Sequence, residues 1–595
     1  MRLILRKLPA VAAGERGVAL ITALLVALAV SSLAIAAALM SMNGTLIRKD
    51  SERTTMMDDA AVAGLEEARS AINGNIALYP TGGGYTTLES GVPVLDANGN
   101  QIPGLQRSTY VGPSGIISGQ YGIFGSIISE VTDGHGNRRI RRMVVNQESF
   151  AKFAYFTDYE PSFIRFGNTD HIFGPVHSNS NIRMYAPSGG NQATFHAPVT
   201  TAGVVESPSY GNFMQGYTEN ATPVPMPGTP ALNLLRTQAQ AGGLYFVSSA
   251  GGSTGEAELR VEFVSVDFDG NPLTTNDVEG YIRVYRNAAA PRYVVAGADY
   301  GGNRIYTAGQ NCGKYVSGTF TPLDNLSSSG KRNAFDAGQV SCFLGGDERL
   351  NNGTFDPNEG GGTWLPYGGV PAAGLCAARP QGDCQYLHPI TRNVNINSKG
   401  VVFVEGKVAV SGVVRGLTTL AATDDIIIVD DIRQDTDPSA NQCDRDLLGL
   451  FSQNDIIVAH NTRNSPWRRP SSGTFRTLGA TPDETIQAVV LALNQFTVQN
   501  YNYAPDASSS GRQNCELVNW GRGCLYLTGG IIQRQRGAVG LTSGAGSLKR
   551  YDYNACAATT PPPYFPTTGV FARNHVYEMD PAGFDVAAWY AAHQS

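Results

Sequence analysis

Val18–Met42 reads VALITALLVALAVSSLAIAAALMSM, twenty-five residues without a charge. A helix of this length spans about 38 Å, enough to cross a hydrocarbon core of roughly 30 Å. The preceding stretch, MRLILRKLPAVAAGERG, sets Arg2, Arg6, Lys7 and Arg16 against the single acid Glu15. A basic flank on that side keeps the N-terminus cytoplasmic and sends the rest of the chain outward. A cleaved secretory signal has an apolar region of only about 7–15 residues. Here helical patterning also continues beyond the apolar run. Met57, Ala61, Gly64, Leu65, Ala68 and Ile72 recur at spacings of three and four, with Asp58, Asp59, Glu66, Glu67 and Arg69 between them. Asn73-Gly74 supplies a stop, and Asn43-Gly44 suggests a weak spot or kink where the chain leaves the membrane. The expectation is one helix over residues 18–75, apolar in its first half and amphipathic in its second.

Composition sets the class of the remaining chain. Charged residues are 16% of the 595, below the roughly 25% of ordinary soluble domains, and there are 69 glycines. Such a chain reads as short strands joined by tight turns, so the fold class expected is mainly β behind one long helix. The net charge is −6, with no basic run after the leader, which argues against nucleic acid as a partner. All eight cysteines lie in the second half, and none forms a C-x-x-C pair. An exported chain permits disulfides. Cys376 with Cys384 and Cys515 with Cys524 are local candidates, buried free thiols are the alternative, and the connectivity stays open.

A short basic leader, a glycine and a long apolar helix resemble the start of type IV pilins. GERGVALITALLVALAV in particular is similar to the N-terminus of PilX-type minor pilins. The resemblance covers about 60 residues. It implies cleavage by a prepilin peptidase between Gly17 and Val18, which takes the net charge from −6 to −9, and it implies other pilin subunits and the inner membrane as partners. Major pilins carry a glutamate at the fifth mature position, where this chain has Thr22. In the family that glutamate is thought to pair with a neighbour's N-terminal amine. A buried amine left unpaired is expensive, so a subunit without the acid is expected at a filament tip or at initiation rather than repeated along the shaft.

Residues 76–150 read as a small pilin-type sheet. GIFGSIISEVT and RRIRRMVVNQES are strand-like, and DGHGN (133–137) between them is a hairpin turn. From 151 the texture changes to short apolar bursts divided by Gly, Asn and Asp. Residues 151–245 and 391–545 read as two parts of a parallel β-helix or similar solenoid. A β-rich, cysteine-containing insertion over 246–390 separates them, with AELRVEFVSVDFDG and EGYIRVYRN alternating like sandwich strands. Residues 481–501 read equally as a helix or a buried strand pair, and 546–595 as an irregular cap. The two solenoid parts and the close of the chain are similar to a domain of unassigned function that often follows PilX-type N-termini.

The most chemical-looking run is Asp424, Asp425, Asp430 and Asp431, followed by Asp435 and Asp437. Carboxylates near a loop suit calcium, which takes roughly six to eight oxygens, and paired carboxylates also serve glycoside cleavage. The plainer reading is turn residues on a solenoid face. No other cofactor is implied. Asn168-Thr169-Asp170, Asp424-Asp425 and Gly134-His135-Gly136 match strings found in some pectin-cleaving β-helices, but in the wrong order. They define the rival expectation, a membrane-tethered enzyme acting on polysaccharide. A third alternative is an envelope anchor that never polymerises. Asp170, His171 and His177 lack a third histidine at ligand spacing. With no nucleophile elbow or phosphate-binding loop, the expected function is non-enzymatic: filament assembly or initiation and surface display or adhesion.

Overall fold

A computed structural model describes residues 15–80, 84–116, 120, 122–167, 170–186, 192–248, 256–267, 278–286, 293–294, 312–316, 319–322, 340–342, 363–369, 383–440, 445–458, 484–498, 501, 524–541 and 546–594. The chain divides into two compact units. The first comprises Met1–Ile116, Phe124–Val145 and Arg573–Ser595, and the second Ile117–Ile123 and Asn146–Ala572. The structure is mainly β, with a long N-terminal helix and large sheets.

In the first unit, helix α1 runs from Glu15 to Gly74. It stays helical through Asn43-Gly44. A helical glycine costs only about 1 kcal/mol against alanine, less than breaking the hydrogen-bond ladder. The helix ends at Gly74, and the Asn75 side chain caps the next turn by accepting from the Ala77 amide. Its amphipathic face is the one the spacing predicts: Met57, Ala61, Leu65, Ala68 and Ile72 are all buried. It packs on a sheet of β1 (Thr86–Leu95), β2 (Gln101–Pro113), β3 (Phe124–Asp133) and β4 (Arg138–Ser149). The β1–β2 and β2–β3 pairs are antiparallel. The strand Thr567–Met579 adds to β4 at the edge, and helix Val586–Ala592 follows it, where sequence alone predicts an irregular cap. Tyr590 on that helix is buried and donates to the Ser126 carbonyl at 2.9 Å, and Gly112 leaves room for its ring.

The second unit is built on two parallel ladders. In one, the order is Tyr245–Val247, Val401–Glu405, Leu417–Ala422, Leu447–Ser452, Val489–Ala492, Cys524–Gln535, Tyr155–Tyr159, Val176–Ser178, Val199–Thr201 and Tyr217–Thr218. The other stacks Leu259–Asp267, Val408–Val414, Ile426–Gln434, Ile456–Val458 and Phe496–Val498. Register makes columns of like residues. Val402, Leu420, Leu450, Val490, Ile531, Tyr155, Val176 and Val199 face one another rung by rung, as do Val261, Val410, Ile428, Val458 and Val498 in the second ladder. Both columns belong to one core. The stretch 484–498 is therefore strand, the alternative that periodicity left open. Within the insertion, Leu259–Asp267 and Val278–Arg286, the segments that alternate in the sequence, are strands and pair antiparallel.

One element has no forerunner among the sequence-based expectations. Helix α2, Thr229–Gly242, covers the outer face of the first ladder, burying Leu232, Leu235 and Ala239 with Phe403 and Phe451. Its signals are present in the sequence: Pro230 in the first turn, apolar residues three and four apart, and Gly243 at φ 75 as the left-handed cap.

Candidate functional site

The first candidate is the exposed half of α1. It is long and apolar enough to cross a membrane, and its window is wholly unburied within the chain, with Leu20 71% exposed. Gly17 and Val18 fall in its first turn. The Thr22 hydroxyl donates back to the Val18 carbonyl at 2.8 Å and the Ala19 carbonyl at 3.0 Å. Thr22 thus satisfies itself within the helix and offers no charge to a neighbour.

Ion pairs fasten the other half of α1 to its sheet. Arg53 donates to Asp133 at 2.8 Å, Arg141 meets Asp58 at 3.0 Å, and Arg107 bridges Glu67 and Glu89. Asp133 is also the hairpin's organising residue. Its carboxylate accepts from the amides of His135 and Asn137 at 2.8 and 2.9 Å, with Gly136 at φ 86 closing the turn. Burial would raise the Asp133 pKa, but these hydrogen bonds and Arg53 hold it well below the usual carboxylate range. Glu89 is held down in the same way by Arg107 and Thr109 against its own burial. Gly134-His135-Gly136 is therefore turn chemistry in the first unit, and Asp424-Asp425 belongs to the second. Asn168 and Thr169 lie outside the described residues.

The predicted calcium residues sit at corners and edges of the second ladder. Asp425 pairs with Lys407 at 3.1 Å and accepts from the Asn454 side chain at 2.7 Å and the Asp455 amide at 3.2 Å. One rung on, Asp455 accepts from the Asn494 side chain and the Gln495 amide at 2.7 and 3.2 Å. Asp424 accepts from the Asp425 amide, Asp430 from the Asp431 amide, and Asp431 from Thr485 and Arg433. Such repeated Asp/Asn residues satisfy the turn amides beside successive strands of the ladder. Among the described residues, no three Asp, Glu, His or Cys side chains are grouped to hold a metal. His177 binds Thr200 and Asn179, while His171 meets His196 at 3.4 Å on a neighbouring rung. Cys384, Cys524 and Cys556 are all in disulfides. Cys376 and Cys515, the other members of the predicted pairs, lie outside the described residues.

The second candidate is a site of which the sequence motifs single out only Asp170. A cavity of about 240 Å³ opens in the second unit where Tyr155 and Ile531 lie side by side in the first ladder and strand Leu548–Tyr553 pairs with Cys524–Gln535. Beside it is a buried charge network. Arg536 donates to Glu160 at 3.1 Å and lies 3.9 Å over the Phe166 ring. Glu160 also accepts from Thr157 at 2.7 Å and from the Tyr155 hydroxyl at 3.2 Å. Lys549 donates to Asp170 at 3.3 Å. Burial pushes the Lys549 pKa down, and Asp170 offsets this only in part because Arg536 opposes it. Burial likewise pushes the Tyr551 hydroxyl far up.

No family model and no curated protein matches this chain. Among solved structures, the crystal structure of the competence-associated pilin ComZ from Thermus thermophilus is similar at 12% identity. The match covers 88% of this chain and 97% of that one, at a TM-score of 0.22.

Proposed function

We propose that this chain is a minor pilin-like subunit that is anchored in the inner membrane by α1 and displays its second unit outside the cytoplasm. One observation carries the reading: a single 60-residue helix is bare and apolar in its first half and packed on a small antiparallel sheet in its second. A simple tether needs no such continuity, whereas a helix that moves from lipid into a bundle of like helices needs an apolar surface joined rigidly to its folded body.

In this proposal, which follows the PilX-type resemblance, a prepilin peptidase cuts between Gly17 and Val18. The apolar half then packs with other pilin subunits. Thr22, uncharged and self-bonded, suits a tip or initiating position rather than a repeated one. The stacked parallel ladders are read as a β-helix that projects for surface display or adhesion, with no catalytic step assigned. A mass spectrum of the mature N-terminus tests the reading: it predicts a chain beginning at Val18. A mature chain beginning at Met1 refutes it in favour of an envelope anchor that never polymerises.

A further inference from the structure

We infer that the cavity in the second unit is a binding site for one residue of an acidic sugar, a uronate or a similar carboxylated pyranose. The inference stands on the second unit alone and holds whether or not the chain enters a filament.

At about 240 Å³ the cavity lies just below the roughly 300–1,000 Å³ of sites for drug-sized ligands, so it suits a single ring. Its floor is core hydrocarbon and aromatic surface, including Phe166, Ile172 and Phe496. At its mouth Phe163 is 81% exposed, an aromatic face open to solvent. Such a face suits the C–H side of a pyranose.

The polar groups around this floor have capacity to spare. Arg536 is satisfied by Glu160. Lys549 is not: its ammonium has three donors, and among the described residues only Asp170 Oδ2 takes one. That oxygen also accepts from the Gly167 amide at 2.9 Å, while Asp170 Oδ1 has no partner among the described residues. The Tyr551 hydroxyl has none either, nor does the Arg165 guanidinium in the cavity wall. Glu160 offsets Arg536 and Asp170 offsets Lys549, while Arg165 acts with Arg183 on the single carboxylate of Glu206, which leaves one positive charge in excess.

The spare groups are thus two cations, one carboxylate oxygen and one phenol around an apolar floor. A carboxylate placed between Arg165 and Lys549 would relieve the charge imbalance through charge-assisted hydrogen bonds. A plain hydrocarbon acid would leave Asp170 Oδ1 and the Tyr551 hydroxyl dry and unmatched, at a desolvation cost. Ring hydroxyls would match both groups.

Titration calorimetry on the full chain in detergent tests this with oligogalacturonate, the neutral oligogalactoside of equal length, and benzoate. The expected result is that oligogalacturonate binds at least about tenfold more tightly than either of the others. Arg165→Ala, at an exposed position where folding is not at stake, should weaken oligogalacturonate by about tenfold or more and leave the neutral oligomer unaffected. Tyr551→Phe should weaken it with the cavity shape kept. No binding of the uronate, equal binding of charged and neutral oligomers, tighter binding of benzoate, or an unchanged Arg165→Ala affinity would each overturn the assignment.

Discussion

Replacing Arg536 by methionine should be among the most damaging single changes in the second unit. The Glu160 side chain is 1% exposed and that of Arg536 5%, and they meet at 3.1 Å. Arg536→Met keeps much of the packing over Phe166 but leaves a buried carboxylate with only the hydroxyls of Thr157 and Tyr155. Stranding one member of a buried ion pair costs about 3–5 kcal/mol. Urea unfolding of the full chain in detergent, followed by near-ultraviolet circular dichroism, reads this as a shift in the midpoint. With a denaturant slope near 3 kcal/mol/M, the loss corresponds to about 1–1.7 M urea. Adding Glu160→Gln removes the stranded charge while keeping an acceptor for Thr157, and should recover most of the shift. A single variant within about 1 kcal/mol of the parent, or a double variant worse than the single, would refute the argument that charge rather than lost volume sets the cost.

Gly64→Leu should loosen α1 from its sheet by about 1–3 kcal/mol, because even a Cβ there would lie 2.5 Å from the Ser129 hydroxyl and 2.6 Å from Arg107. Faster proteolysis within 56–74, with membrane retention unchanged, is the expected readout. Thr22→Glu should raise the number of copies per filament when co-expressed with the other subunits, and unchanged stoichiometry counts against a tip position. Acid should weaken the first unit. Glu89 and Asp133 have folded pKa values below their unfolded ones, so their contribution is complete above the unfolded range near 4 and is lost as the pH falls through the folded values. Stability measured between pH 5 and 2 should therefore drop, and an Asp133→Asn/Glu89→Gln variant should show a shallower drop.

The α1 face was legible because helical periodicity is local. Met57, Ala61, Leu65, Ala68 and Ile72 are named by spacing alone, and the same five are buried. The hairpin turn at 133–137 was legible for a similar reason, since Asp133 bonds amides two and four residues ahead. The apolar bursts announced strands but not their partners. Nothing within Tyr155–Tyr159 says that it pairs with Cys524–Gln535, because a parallel ladder takes its neighbour from a remote segment. That pairing places Arg536 against Glu160, and together with the pairing of Leu548–Tyr553 to Cys524–Gln535 it brings Lys549 to Asp170. By itself the sequence determined a membrane-length helix, its buried face and a β-rich body, all of them short-range consequences of hydrophobic period. Only tertiary structure gave the acidic run its turn amides and assembled the cavity, since both depend on charges and amides that become neighbours after remote strands are paired.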